Sequence, residues 1–389
     1  MANHQQNPAS IHLTEEALAH SERLSEHLRE LISQAGGWLS FAHWMQEALY
    51  APGLGYYAAG TKKLATRDTL NLPQSAAGDF VTAPELSKAF GYTLAKQVEQ
   101  VLQDFESPAI LEFGAGSGQL AHDVLTALAQ QGLHPSYQIL EVSADLAERQ
   151  RGLLQKFNGQ VHWINELPKA FEGMVLANEV LDAMPAHIVG WTENGDVFER
   201  GVVWADNQFA WQDRPANDIL SEALKQRMPC LPGYVTEINL QAQAWTSELA
   251  HWLKRGVAIL IDYGFPQHEY YHPQRREGTL MCHIQHRSHA NALLLPGLQD
   301  ITTHVDFTAI ADAAHEAGLS VMGYTSQARF LVNASITDQI AGLSSQDLRG
   351  IDKLLSEAEM GELFKVLAVG RDVDQALIGF CRGDRLHQL

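Results

Sequence analysis

Two hydrophobic periods organise this chain. From residue 14 to about 33, Leu18, Leu24, Leu28, Leu31 and Ile32 recur at helical spacing, and Gly36-Gly37 stops the run. A second helix is predicted over 39–49, carrying Leu39, Trp44, Met45 and Leu49, with Pro52-Gly53 turning the chain after it. Residues 58–81 show little periodicity and predict a long loop, and the polar residues 1–10 predict disorder. Thr82-Ala83-Pro84-Glu85 has the form of a capping box with proline near the start, which predicts a helix over 83–104.

Beyond this point short apolar runs alternate with helical ones, the signature of a parallel sheet. Strands are predicted at Ala109-Ile110-Leu111 and over 137–142, 161–164, 173–177 and 256–262, with helices from about 119 and over 144–156. The stretch between the fourth and fifth strands is long. Its first half, 187–212, alternates apolar and polar residues around the turn Glu193-Asn194-Gly195-Asp196, and its second half predicts helices over 216–227 and 236–254. A His- and Arg-rich loop follows to about 304. Asp306 then predicts a capped helix over 307–317, Leu319 to Val332 predict one or two antiparallel strands, and a last strand is predicted near 376–381. Three regions result: an N-terminal helical extension with its loop, 1–105; an α/β core, 106–335, including an insertion over 187–254; and a C-terminal helical segment with the final strand, 336–389.

The first strand runs into Glu112-Phe113-Gly114-Ala115-Gly116-Ser117-Gly118, then a helix. Glycines here permit a sharp turn and a close approach of the backbone to a ligand, at the carboxyl end of a parallel strand. The spacing is G-x-G-x-G, where a dinucleotide fold wants G-x-G-x-x-G. Glu112, two residues before the first glycine, would repel a pyrophosphate. It suits a cofactor with a cationic amino group and no phosphate, which describes S-adenosylmethionine. Glu141, ending the second strand, is placed to accept hydrogen bonds from ribose hydroxyls. Asn165, at the end of the third, is the candidate partner of an adenine amine.

Asn178-Glu179-Val180-Leu181-Asp182 follows the fourth strand, the end that faces the transferable methyl in such a fold. Glu179 and Asp182 on one short turn could hold a guanidinium by paired hydrogen bonds, or could belong to an ordinary helix N-terminus. Cys282, His283, His286 and His289 cluster, but no second ligand group stands at zinc-site spacing, and no metal is expected.

Charge narrows the partners. Acidic residues outnumber basic ones 46 to 27, giving a net charge of -19, which argues against general nucleic-acid binding and anionic membranes and is compatible with a basic protein partner. No apolar run approaches the length of a membrane span. Cys230, Cys282 and Cys381 are scattered and odd in number, as expected of reduced thiols in a cytoplasmic protein.

Four motifs occur in one order: 78–87 (GDFVTAPELS), the glycine turn, 178–185 (NEVLDAMP) and 296–307 (PGLQDITTHVDF). Over roughly 35–370 the chain resembles the MidA family of class I S-adenosylmethionine-dependent methyltransferases. The resemblance implies a Rossmann-like seven-stranded sheet whose final strand is antiparallel. It implies Glu112, Gly114, Gly116, Gly118 and Glu141 as cofactor residues, with Asn178, Glu179 and Asp182 beside the methyl group. It also implies symmetric dimethylation of a protein arginine, which mitochondrial members carry out on a respiratory complex I subunit. Methyl transfer to a small molecule or another side chain, and a catalytically idle cofactor-binding assembly factor, remain the alternatives.

Overall fold

The structure, a computed structural model, describes residues 13–59, 81–285 and 287–389. The predicted disorder of 1–10, nearly all of the 58–81 loop, the start of the first family motif and His286 lie outside them.

Seven strands run side by side in the core sheet, and the short strand Val305–Asp306 pairs with the end of one of them, Leu253–Phe265. In spatial order they are Val161–Ile164, Ser136–Leu140, Ala109–Phe113, Phe171–Asn178, Leu253–Phe265, Phe364–Arg371 and Ser320–Ser326, which numbered along the chain reads 3-2-1-4-5-7-6. The first five are parallel, and Phe364–Arg371 runs antiparallel to both neighbours. Successive side chains of a strand point to opposite faces, and here both sets are apolar, so both faces need cover. Ile110, Met174 and Ile259 pack with Phe90, Leu94, Val98 and Val124 from helices Lys88–Leu102 and Gln119–Gln130. Leu111, Val175 and Ala258 pack with Leu249, Phe307 and Ile310 from helices Leu240–Trp252 and Phe307–Glu316.

The insertion builds a second sheet. Its order is Leu39–Ser40, Val197–Ala205, His187–Trp191, Val235–Ile238, with Gln208–Pro215 also paired to Val197–Ala205. The N-terminal helices Glu15–Gln34 and Phe41–Tyr50 pack on it through Leu24, Leu28, Trp44 and Met45 against Ile188 and Val202, and the same core takes in Cys282 and Ile301. This shared core carries the segment 50–57 and Asp300 over the carboxyl ends of the core strands.

Six expectations need correction. The helix over 83–104 is broken at Ser87, whose backbone is extended and whose hydroxyl caps a second helix through Ala89 N at 3.3 Å. Thr82 makes no capping bond, and Glu85 turns to the Ser117 hydroxyl instead. Residues 236–238 are strand, because buried Thr236 and Ile238 continue the sheet before Asn239 caps the helix. The His- and Arg-rich loop contains a small sheet, Arg287–His289, Met281–Ile284 and Asp300–Thr302. Within Leu319 to Val332 only Ser320–Ser326 is strand, since Ser326 caps the helix Gln327–Asn333. The final strand is Phe364–Arg371. It fills the slot between two core strands, and Leu377 and Phe380 pack beneath it around a short 3-10 turn.

Candidate functional site

A cavity of about 920 Å³ opens at the carboxyl ends of the core strands. One side is the glycine turn. Gly114, Gly116 and Gly118 all have left-handed φ, at 60°, 54° and 85°, a region that side chains other than glycine rarely adopt. Gly114 and Gly116 line the cavity. Gly118 does not: it caps the helix Gln119–Gln130 and lies against Gln150.

Gln150 was not legible as a site residue. Fully buried, it donates from Nε2 to the Gly116 carbonyl and to Glu141 Oε2, both at 2.9 Å, while its Oε1 accepts the Trp163 indole N–H at 2.8 Å. Ser143 N donates to the other Glu141 oxygen at 2.9 Å. Glu141 therefore sits fixed at the cavity wall beside the glycine turn. Glu112 lines the same wall, 2 % exposed, with the Tyr137 hydroxyl on Oε2 at 2.8 Å. Burial pushes its carboxyl up to about 8, against the lowering effect of that bond. Asn165 is exposed and outside the described lining, because the chain turns to solvent after the edge strand; Leu167 reaches the cavity instead.

The other side is the turn after the fourth core strand. Glu179 has φ 54°, and its Oε1 accepts from Asn178 Nδ2 at 3.1 Å and Ala83 N at 3.4 Å. Burial first, then Asp182, raises its carboxyl to about 8. Asp182 is raised to about 6 by burial, although the Tyr263 hydroxyl donates to it. No helix begins here. The turn is held by buried Asp262, whose Oδ2 accepts Leu181 N at 3.0 Å and Asp182 N at 3.2 Å. Asn178 Oδ1 and Asp182 Oδ1 are buried acceptors without a partner among the described residues, and a ligand with N–H groups would satisfy them.

Tyr50 and Tyr57 roof this half, their rings stacked with centroids 5.5 Å apart. The Tyr50 hydroxyl donates to the Ala183 carbonyl at 3.0 Å, and that of Tyr57 to Asp300 Oδ1 at 2.8 Å. His283, the strand partner of Asp300, and His304 also line the cavity. Burial lowers both imidazoles, His304 to about 4. Among the described residues no group of three His, Cys, Asp or Glu is arranged to hold a metal.

Five carboxylates therefore line one cavity, Glu112, Glu141, Glu179, Asp182 and Asp300, and no described lining residue is Lys or Arg. Such a cavity takes cations and disfavours pyrophosphate. S-adenosylmethionine fits this donor set: it carries an ammonium and a sulfonium, ribose hydroxyls and no phosphate.

The sheet order and the glycine site at the strand ends define a class I S-adenosylmethionine-dependent methyltransferase. Residues 93–325 match the model of the family described as "Putative S-adenosyl-L-methionine-dependent methyltransferase". The chain belongs to this family, the MidA methyltransferases, and S-adenosylmethionine is its cofactor. It is similar to protein arginine methyltransferase NDUFAF7, mitochondrial, of Danio rerio, with 28% identity over 88% of this chain and 86% of that protein. The Homo sapiens protein of the same name is 26% identical over 88% and 82%. A structure from Burkholderia thailandensis bound to S-adenosyl-homocysteine superposes with a TM-score of 0.92 at 46% identity, covering 97% of this chain and 100% of that one. No helix among the described residues is long and apolar enough to cross a membrane.

Proposed function

We propose that this methyltransferase acts on an arginine side chain of a protein. The observation that carries the reading is the turn Asn178–Asp182: the half-buried carboxylate of Glu179 and the buried one of Asp182, with the unpartnered oxygens Asn178 Oδ1 and Asp182 Oδ1, line a cavity with no basic side chain among its described lining. A guanidinium is a planar fork of five N–H donors and matches such a set. The NDUFAF7 relatives, named protein arginine methyltransferases, support it.

Each residue then has a role. Glu141 would accept from the ribose hydroxyls of the cofactor, and Glu112 would hold its ammonium. S-adenosylmethionine supplies an electrophilic methyl, whose bond to sulfur breaks with its electron pair left on sulfur as the bond to nitrogen forms. Arginine is almost always protonated and a poor nucleophile. Glu179 orients the guanidinium, draws its charge away from the attacking nitrogen and takes the proton that nitrogen loses. Asp182 shares the cation. A respiratory complex I subunit is one acceptor this reading admits.

Radiolabelled methyl transfer into lysate from a strain lacking the gene, followed by acid hydrolysis, tests the proposal. Label in methylated arginine is expected. Label confined to another residue or to small molecules overturns it.

A further inference from the structure

Asp300 lies far along the chain from Glu179, on the small sheet that packs with the N-terminal helices rather than on the core sheet. It is 4 % exposed and lines the same cavity. Its Oδ1 is fixed by the Tyr57 hydroxyl at 2.8 Å. The stacked rings of Tyr57 and Tyr50, and the bond from Tyr50 to the carbonyl of Ala183, connect it to the Asp182 turn. The two tyrosines thus form an aromatic wall that is tied at one end to the Asp300 carboxylate and at the other to the backbone of the turn that carries Asp182. Both Asp300 and Glu179 line the cavity, and Asp300 adds a small upward push to the Glu179 carboxyl after burial and Asp182.

A planar cation with five donors satisfies only two of them on one carboxylate. A second carboxylate from another part of the fold takes further donors, and an aromatic face adds cation–π attraction. We propose that Asp300, positioned by Tyr57, is a second anchor for the guanidinium of the acceptor, and that the Tyr50–Tyr57 pair forms the aromatic wall of that subsite. The inference rests on the arginine reading above and extends it: acceptor binding requires the N-terminal extension as well as the core sheet.

The probe is N-acetylarginine amide, titrated into full-length protein saturated with S-adenosylhomocysteine, with N-acetylcitrulline amide as the uncharged control. Wild type is expected to bind the arginine probe and to discriminate against citrulline at least tenfold. Asp300→Asn is expected to weaken the arginine probe tenfold or more, with S-adenosylhomocysteine affinity within about twofold of wild type. Tyr57→Phe, which keeps the ring and removes the hydroxyl, should lose less, and Asp300→Glu should recover part of the loss. If wild type does not tell arginine from citrulline, the guanidinium reading itself fails. If wild type discriminates but Asp300→Asn binds the arginine probe as wild type does, the second anchor is overturned while the arginine reading stands. Should Asp300→Asn prove unfolded in a thermal melt, Tyr57→Phe decides: unchanged arginine binding in that variant overturns the proposal.

Discussion

Gln150 holds Glu141 and the glycine turn at once, with one side-chain nitrogen 2.9 Å from both the Glu141 carboxylate and the Gly116 carbonyl. Its oxygen is occupied by the Trp163 indole, so the amide cannot turn away. Gln150→Leu keeps the volume and removes every bond. Two hydrogen bonds to fixed groups, one of them charged, are worth about 1–3 kcal/mol. Titration calorimetry should show S-adenosylhomocysteine bound roughly tenfold more weakly. An affinity equal to wild type would mean that Glu141 needs no such support.

Glu141 itself is expected to matter more directly. Glu141→Ala removes the carboxylate while leaving Ser143 and Gln150 in place. Cofactor affinity should fall by about 1–3 kcal/mol, and NAD should remain without effect on either protein. Unchanged affinity for S-adenosylmethionine in the variant would take Glu141 out of the site.

Raised carboxyls make the ligand-free protein sensitive to pH, those of Glu112, Glu179 and Asp182 among them. Glu112 and Glu179 are raised from 4.5 to about 8, and Asp182 from 3.8 to about 6, each chiefly by burial. A carboxyl raised in the folded state binds its proton more tightly there than in the unfolded chain. Its stabilising contribution is complete below the unfolded value and is lost as pH rises through the folded one. Melting temperature without ligand is therefore expected to fall between about pH 4 and about pH 8. Glu112→Gln and Glu179→Gln should each flatten that fall, and a melting curve as steep in both variants as in wild type would refute the assignment.

The five parallel strands of the core sheet were legible because they are apolar on both faces and separated by turn residues and helices, while the count of seven came from the family resemblance. The glycine turn was legible because only that backbone needs glycine at alternate positions. Glu141, Glu179 and Asp182 could be found as polar residues placed where apolar strands stop. Gln150, Tyr50, Tyr57 and Asp300 could not. Gln150 sits within a helix whose exposed residues are equally polar, and nothing local marks it as buried. Tyr57 and Asp300 are 243 positions apart, and only the packing of the N-terminal helices on the insertion brings them together. The final strand was misplaced because 364–371 and 376–381 are both apolar, and only pairing with two neighbours decides between them.

Asp262 ends the predicted fifth strand and Asp182 follows the fourth, so the two look alike in sequence, yet they should fail differently. Asp262 accepts two buried backbone N–H groups of the 179–182 turn. Asp262→Ala leaves both unsatisfied, which costs about 2–5 kcal/mol and should lower the melting temperature by several degrees. Asp182→Asn keeps its own backbone bond and still presents an oxygen to Tyr263. It should melt near wild type and lose methyl transfer. Equal melting temperatures for the two variants would show that Asp262 does not hold the turn.

Glu179 carries the chemistry proposed here, and Glu179→Gln isolates it. The variant keeps the shape of the side chain and an oxygen for Asn178 Nδ2 and Ala83 N, so the left-handed turn should persist. What disappears is the negative charge that orients a guanidinium and accepts its proton. Cofactor affinity should stay near wild type, because the glycine turn, Glu112 and Glu141 lie on the other side of the cavity. The rate of methyl transfer to arginine should fall by about 10²-fold or more, the range typical of lost acid–base or electrostatic catalysis. The pH profile separates charge from shape. In wild type, kcat/KM for the acceptor should rise as Glu179 ionises towards pH 8, and in Glu179→Gln that limb should vanish. A folded Glu179→Gln protein with full activity and an unchanged profile would exclude this carboxylate as the guanidinium anchor and move the proton to another of the buried carboxylates, with Asp182 next in line.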